Sequence, residues 1–379
     1  MRVPVVVMRG GTSKGVFLNF DDMPANRLLW DEFLLDIMGS PDRRQIDGLG
    51  GANSLTSKVA IIKESELEGI DVEYTFAQVS ISNNLVDFKG NCGNISSAVG
   101  PYAIEQGLVP VVEPVTTVRI YNTNTKKVII AEVEVENGHV KTEGMCSIPG
   151  VPGTGSPIYL SFTNAEGAVT GKLFPTGNHI DVIQSSKGPL NVSIIDVANP
   201  LVFVNASDVG LTGSELPHEF TKEKLIELEE IRSIAAEMCQ LAAKEEATMK
   251  SPAVPKMTII APPGDYLDVT GIKREALDMD CRIRMMSMQE PHQALAISGA
   301  ICTTAGAFLE NTILSEVINI NQEVVRLGHP GGIMETKVDL IAGHISAIKV
   351  VRTARIILEG HVYTKKNYKI AKVRSQALA

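Results

Sequence analysis

Leu295-Ala296-Ile297-Ser298-Gly299-Ala300-Ile301-Cys302-Thr303-Thr304-Ala305-Gly306-Ala307-Phe308-Leu309 is a run of 15 residues without a charged side chain. Small residues recur on every side of the helix it predicts, so no face is marked for water and the helix is expected to be buried all round. Ile95 to Gln106 has the same small, nearly uncharged character in the first half of the chain. One such helix in each half implies that each half wraps strands about its own central helix. A break near Pro189 gives comparable halves, 1–187 and 188–379, with the last strands returning to the first half left open. No exact repeat supports the duplication, which rests on pattern alone. The cleft between two such halves is the expected ligand site.

Around the two helices the chain is rich in strand-like runs with β-branched residues. These are Val3–Val7, Lys58–Ile62, Val72–Ile81, Thr116–Tyr121, Lys127–Glu136, Val192–Val204, Met257–Ile260 and His344–Leu358. Turn signals such as Asn137-Gly138, Pro152-Gly153 and Pro263-Gly264 separate them, which favours antiparallel hairpins and an α+β class. Two amphipathic helices are expected outside the strands, over Ala25–Met38 and Thr221–Ala243, the latter with Leu225, Ile226, Leu228 and Ile231 on its apolar face. The basic tail Lys365–Ala379 reads as a solvated terminus.

The chain has 379 residues, enough for two domains, and its 44% hydrophobic and 21% charged composition is that of a folded protein. A net charge of −9 disfavours nucleic-acid binding but leaves room for a local cationic site that holds a small anion. Five cysteines with no Cys-x-x-Cys spacing fit neither a disulfide scaffold nor a zinc ribbon, so a reducing, cytoplasmic setting is expected. Neither the N-terminal MRVPVVVMRGG nor the 15-residue small-residue run suits a signal peptide or a membrane span. The seven histidines form no His-Glu-x-x-His and join no carboxylate cluster, so no metal is expected.

Three glycine-rich segments carry the chemistry. In Gly90-Asn91-Cys92-Gly93-Asn94-Ile95-Ser96 a cysteine stands where a strand gives way to a helix, and free N–H groups there favour negative charge on sulfur or on a bound carboxylate. Taken alone, Cys92 is equally at home as a small core residue; the flanking glycines count against that. Gly48-Leu49-Gly50-Gly51-Ala52-Asn53-Ser54-Leu55-Thr56-Ser57-Lys58 ends at the mouth of a strand, where a desolvated lysine becomes a candidate base, an ordinary surface lysine being the alternative. Met8-Arg9-Gly10-Gly11-Thr12-Ser13-Lys14-Gly15 is a candidate carboxylate cradle whose spacing does not match a phosphate-binding loop. Asn199-Pro200 and Gly328-His329-Pro330 offer further polar groups beside turns, and Pro291-His292 a structural histidine.

Taken together and in this order, MRGGTSKGVF, GLGG…TSK, GNCGNIS, Pro175-Thr176-Gly177-Asn178, Asp196-Val197-Ala198-Asn199-Pro200 and Gly-His-Pro resemble the PrpF-type isomerase family over nearly the full length. That family includes 2-methylaconitate isomerase, 3-methylitaconate Δ-isomerase and oxalomesaconate tautomerase, and the wording around Gln45-Ile46-Asp47-Gly48 resembles the methylitaconate branch most. The resemblance implies a diaminopimelate-epimerase-like fold of two pseudo-symmetric domains, each with a mostly antiparallel sheet around a central helix. It further implies cofactor-free proton transfer on a small unsaturated polycarboxylate, with Lys58 paired with Cys92 across an interdomain cleft; Lys58 is then expected to act as base or shuttle and Cys92 to supply or position the second proton donor. Gly93 and Asn94 are then expected to hold a carboxylate through their N–H groups, with Ser13, Ser54, Asn199 and His329 as further substrate contacts. Epimerases of that fold use one cysteine per domain. Here the turn before the second central helix reads Glu290-Pro291-His292-Gln293, which argues against a two-thiol racemase. A homo-oligomer is possible; a keto–enol tautomerase and a non-catalytic carboxylate-binding protein are the alternatives.

Overall fold

The computed structural model describes residues 1–318, 323–341 and 344–370. The first half begins with a hairpin of β1 (Arg2–Gly10) and β2 (Ser13–Asn19), and β3 (Lys58–Glu64) lies parallel to β2. β4 (Val72–Val79) is antiparallel to β3, β5 (Val115–Asn122) parallel to β4, β6 (Lys127–Glu136) antiparallel to β5, and β7 (Ile158–Thr163) antiparallel to β6. Next in the chain is β8 (Asp181–Ser185), which forms a hairpin with β9 (Gly188–Val197).

The same order of directions then recurs. β10 (Asn199–Asn205) is antiparallel to β9, β11 (Lys256–Ala261) parallel to β10, and β12 (Cys281–Ser287) antiparallel to β11. β13 (Val324–His329) is parallel to β12, while β14 (Gly332–Ile341) and β15 (His344–Arg352) follow in antiparallel succession. β15 pairs with β7 and joins the two series, and β16 (Ala354–Tyr363) pairs with β1. Each series thus sends its eighth strand to the first strand of the other, β8 onto β9 and β16 onto β1. The expected break at 187/188 falls in the turn of the β8–β9 hairpin.

Two expected strands prove to be pairs. Val192–Val204 is interrupted at Ala198, whose φ of +63° reverses the chain in a single residue and sets Val197 opposite Asn199. His344–Leu358 is interrupted at Thr353, and its two parts go to different partners.

Helix α1 (Trp30–Met38) is preceded by a 3-10 turn over Arg27–Leu29 with Leu28 in solvent, so the expected helix from Ala25 starts late. Helices α2 (Gly93–Ser96) and α3 (Val99–Glu105) replace the single helix expected over Ile95–Gln106. Pro101 has no N–H to give and is tolerated only in a first turn, which is where the restart at Val99 puts it. Helix α4 (Lys222–Met238), capped by the Thr221 side chain, covers β8 and β11 from outside, with Leu228 and Ile231 buried but Ile226 facing water. Helix α5 (Ile297–Ala307) is buried at every residue, as its composition predicts.

A single apolar core runs through both halves, with Ile95, Val99 and Tyr102 in the same cluster as Ile297, Ile301 and Ala305. Full burial of an aliphatic side chain such as Ile301 contributes about 1.5–3 kcal/mol. The N-termini of the central helices meet head on: a Cβ on Gly93 would stand 2.5 Å from the Ile297 Cβ.

In the described part of the tail Lys365, Lys366, Asn367 and Lys369 are exposed, as expected, but the segment is anchored to the fold. Tyr368 packs edge-on against Phe33, Lys365 pairs with Asp47 at 2.8 Å, and Lys366 pairs with Glu32. The segment 371–379, including Lys372 and Arg374, lies outside the described residues.

Candidate active site

Lys58 is the first residue of β3, and the strand register sets it opposite Gly15 on one side and Gln78 on the other. A strand start at this point buries the side chain, and the ammonium donates to Gln78 Oε1 at 2.5 Å. Gln78 is itself held by the carbonyls of Ser57, at 3.0 Å, and Ser54, at 3.2 Å. Cys92 is the residue before α2, in extended conformation, and it lines the same chamber as Lys58, near enough to act on its ammonium. Burial pulls Lys58 below the ordinary lysine range, while Cys92 pushes it back up. No carboxylate pairs with Lys58 among the described residues.

Three more side chains line the same chamber. The Ser13 hydroxyl, at the tip of the β1–β2 hairpin, is buried without a hydrogen-bond partner. Asn94 Oδ1 accepts from Thr12 N at 3.2 Å. Asn199, at the tip of the β9–β10 hairpin, donates to Asn91 O at 2.9 Å and to Ser298 Oγ at 3.0 Å, tying the start of α2 to that of α5. The amides of Gly93 and Asn94, at a helix start, have no intrahelical acceptor. The chamber is about 30 Å³, room for water. An open cleft of about 840 Å³ shares Gln78, Met288 and His292 with it.

A buried amine and a thiol thus face one chamber together with Lys256 and several neutral hydrogen-bonding side chains. Among the described residues no three His, Cys, Asp or Glu side chains gather where they could hold an ion. None of the described helices is long and apolar enough to cross a membrane. The family model for the PrpF protein matches residues 1–365. The chain belongs to the PrpF family.

Among relatives, it is 48% identical over 372 residues to the 3-methylitaconate isomerase of Eubacterium barkeri, covering 97% of this chain and 98% of that one. It superposes on the crystal structure of methylitaconate-delta-isomerase with a TM-score of 0.78 at 46% identity, covering 100% of this chain and 98% of the other. At 10% identity it shares the fold of a hydroxyproline epimerase from Agrobacterium vitis, with a TM-score of 0.53 over 99% and 96% of the two chains. The α+β class expected from the strand pattern, with the epimerase-like fold that the resemblance implies, is therefore the fold of this PrpF protein.

Of the expected site residues, Lys58, Cys92, Ser13, Asn94 and Asn199 come together in the chamber. Ser54 stands instead on the wall of the outer cleft. Gly93 is packed against Ile297, which leaves only its backbone to act. His329 lines neither space: it is fully buried, Nδ1 accepts from Gly331 N at 3.0 Å, and burial beside Arg352 and Arg284 pushes it well below the ordinary histidine range.

The sequence reading missed Gln78, Ser298 and Lys256, and read His292 as merely structural; all four line the chamber. Burial, then the charges of Lys58 and Lys256, push His292 down to about 3, so the ring is neutral. With Nδ1 accepting from Ala294 N at 3.0 Å, its proton is on Nε2. Lys256 had a signal: it opens the run Met257–Ile260 just as Lys58 opens Val59–Ile62, but no glycines mark it. The residue that precedes α5, in the place Cys92 holds before α2, is Ala296 and not one of Glu290–Gln293, and it carries no thiol.

Proposed function

We propose that this PrpF protein is a cofactor-independent isomerase that moves a proton and a double bond in a small unsaturated di- or tricarboxylate of the 3-methylitaconate or 2-methylaconitate type. The observation that carries the reading is that buried Lys58 and Cys92 line one chamber, where Lys58 has no carboxylate partner among the described residues. The 48% identity to a 3-methylitaconate isomerase supports the substrate class.

In such an acid the carbon next to the double bond also bears a carboxylate, so its C–H is the acidic one. Lys58, as free amine, removes that proton and the electron pair spreads through the double bond as a dienolate. Cys92 delivers a proton to the far carbon, which becomes a methyl group when it began as a methylene. Negative charge on the carboxylate oxygens of the intermediate is met by the Gly93 and Asn94 amides and by Ser13, whose hydroxyl has no other partner. We assign the two domains by hydrogen bonding: β1–β7 with β16, and β9–β15 with β8, the site lying between them.

The test incubates the purified protein with 3-methylitaconate, 2-methylaconitate and oxalomesaconate, one at a time, and follows each by proton NMR. One of the first two acids is expected to convert, with turnover down about 10²–10⁴-fold in Lys58→Met and Cys92→Ser. Conversion of oxalomesaconate alone would make the protein a tautomerase, and normal turnover in Lys58→Met would remove the mechanism.

A further inference from the structure

The two strand series correspond in register, residue by residue, at the site. Ser13 begins β2, and two residues on Gly15 faces Lys58, the first residue of β3. Asn199 begins β10, and two residues on Leu201 faces Lys256, the first residue of β11. Continuing the β11–β12 register from Thr258 opposite Met285 places Lys256 across from Ser287, as Lys58 is across from Gln78. Lys256 is therefore the internal counterpart of Lys58, and both open into one chamber.

The two lysines differ in what surrounds them. Lys58 is held by Gln78 and shares the chamber with Cys92, the proton donor of the proposed reaction. Lys256 has no thiol beside it in its own series, since Ala296 stands where Cys92 would, and among the described residues its ammonium is held by the Ala253 carbonyl at 3.1 Å. It lies in the field of Cys92 and Asp87 and of the like charge on Lys58, and it makes no ion pair among the described residues. The Asp87 carboxylate is engaged by the backbone N–H of Lys89 at 2.7 Å. Two ammonium groups facing one small chamber repel each other, Arg232 adds to the positive field at Lys256, and Asp87 and Cys92 offset it without forming an ion pair, an arrangement that costs stability and favours entry of an anion.

We propose that Lys256 is the cation that binds the substrate carboxylate remote from the carbon losing its proton, and so makes the site selective for acids with at least two carboxylates. The inference rests on the reading of the site as one for small polycarboxylates. It makes Lys58 and Lys256 a divided pair: one gives up its charge to act as base, and the other keeps its charge to hold the substrate. Neutral His292 between them adds no further positive charge.

The test uses methylsuccinate, a saturated dicarboxylate that cannot isomerise, with binding measured by titration calorimetry on wild type, Lys256→Met and Lys256→Arg. Methylsuccinate is expected to bind at least about tenfold more weakly to Lys256→Met, with most of the affinity restored in Lys256→Arg. Binding to the wild type is expected to weaken as pH rises through about 8, where Lys256 loses its proton, and that step is expected to be missing from Lys256→Met. In turnover the variant is expected to show a raised KM with a kcat changed less than about threefold. Equal binding by wild type and Lys256→Met overturns the proposal, as does a wild type that binds no methylsuccinate. A folded wild type that binds the diacid through Lys256 but isomerises none of the three candidate acids leaves this inference standing and removes the proposed reaction instead.

Discussion

Lys58 is a buried cation and Lys256 a half-buried one, and each pays in stability for a chemical property. Burial and the neighbouring Lys58 bring Lys256 to about 8 from 10.5. Between those two pH values the unfolded chain holds a proton that the folded chain has lost, so stability rises with pH across that window; below about 8 the penalty is present in full. Lys256→Met removes it, and is expected to unfold at higher urea at pH 7, by about 1–3 kcal/mol, with the advantage shrinking by pH 10. Loss of function with a gain in stability is the signature of a residue kept for its chemistry; a variant less stable than wild type at pH 7 would contradict it. At this scale Lys58 and Cys92 were legible because glycines crowd around them. Lys256 follows Val254-Pro255, with no such punctuation, and only the strand register reveals it.

Among the elements, the contact between the starts of α2 and α5 sets the spacing of everything at the site. Gly93 is needed there because any Cβ would collide with the Cβ of Ile297, an atom fixed to a buried helix. Gly93→Ala is expected to push the two helix ends apart, costing about 1–3 kcal/mol in urea unfolding and lowering turnover, since Asn199 bridges the same two ends. An unchanged Tm and unchanged turnover would show that the ends are not in contact. Burial of α5 was readable from its composition because small, uncharged residues on every side have no other use. The reversal at Ala198 was not readable, because alanine has no preference for positive φ and the conformation is imposed by the pairing of β9 with β10. The exchange of β8 and β16 was left open for a related reason. Such pairings join segments far apart in sequence, and local propensity carries no trace of them.

Over the whole molecule the charge is inverted: the chain carries a net −9, yet Lys58 and Lys256 face a chamber whose lining, among the described residues, holds no carboxylate. His292, at about 3, and His329, well below the ordinary range, stay unprotonated inside that positive field. As pH falls below about 6.5 the unfolded chain takes up protons at both positions and the folded chain does not, so stability falls, each ring contributing up to about 1.4 kcal/mol per pH unit. Between pH 7 and pH 5 the wild type is expected to lose about 2–4 kcal/mol more than His292→Gln/His329→Gln in urea unfolding. Equal losses would place both rings in contact with water. The same interior field draws a polyanion into the cleft even though the outer surface repels one.

The central claim is that one group takes the proton and another returns it. Its most direct test is conversion of 3-methylitaconate by the wild type in deuterium oxide, with the isotope content of the new methyl group read by NMR and mass spectrometry. Relay through Lys58 and Cys92 predicts one solvent deuterium in that methyl group. A methyl group containing only protium would mean that a single residue carries the same proton across, and would contradict the account.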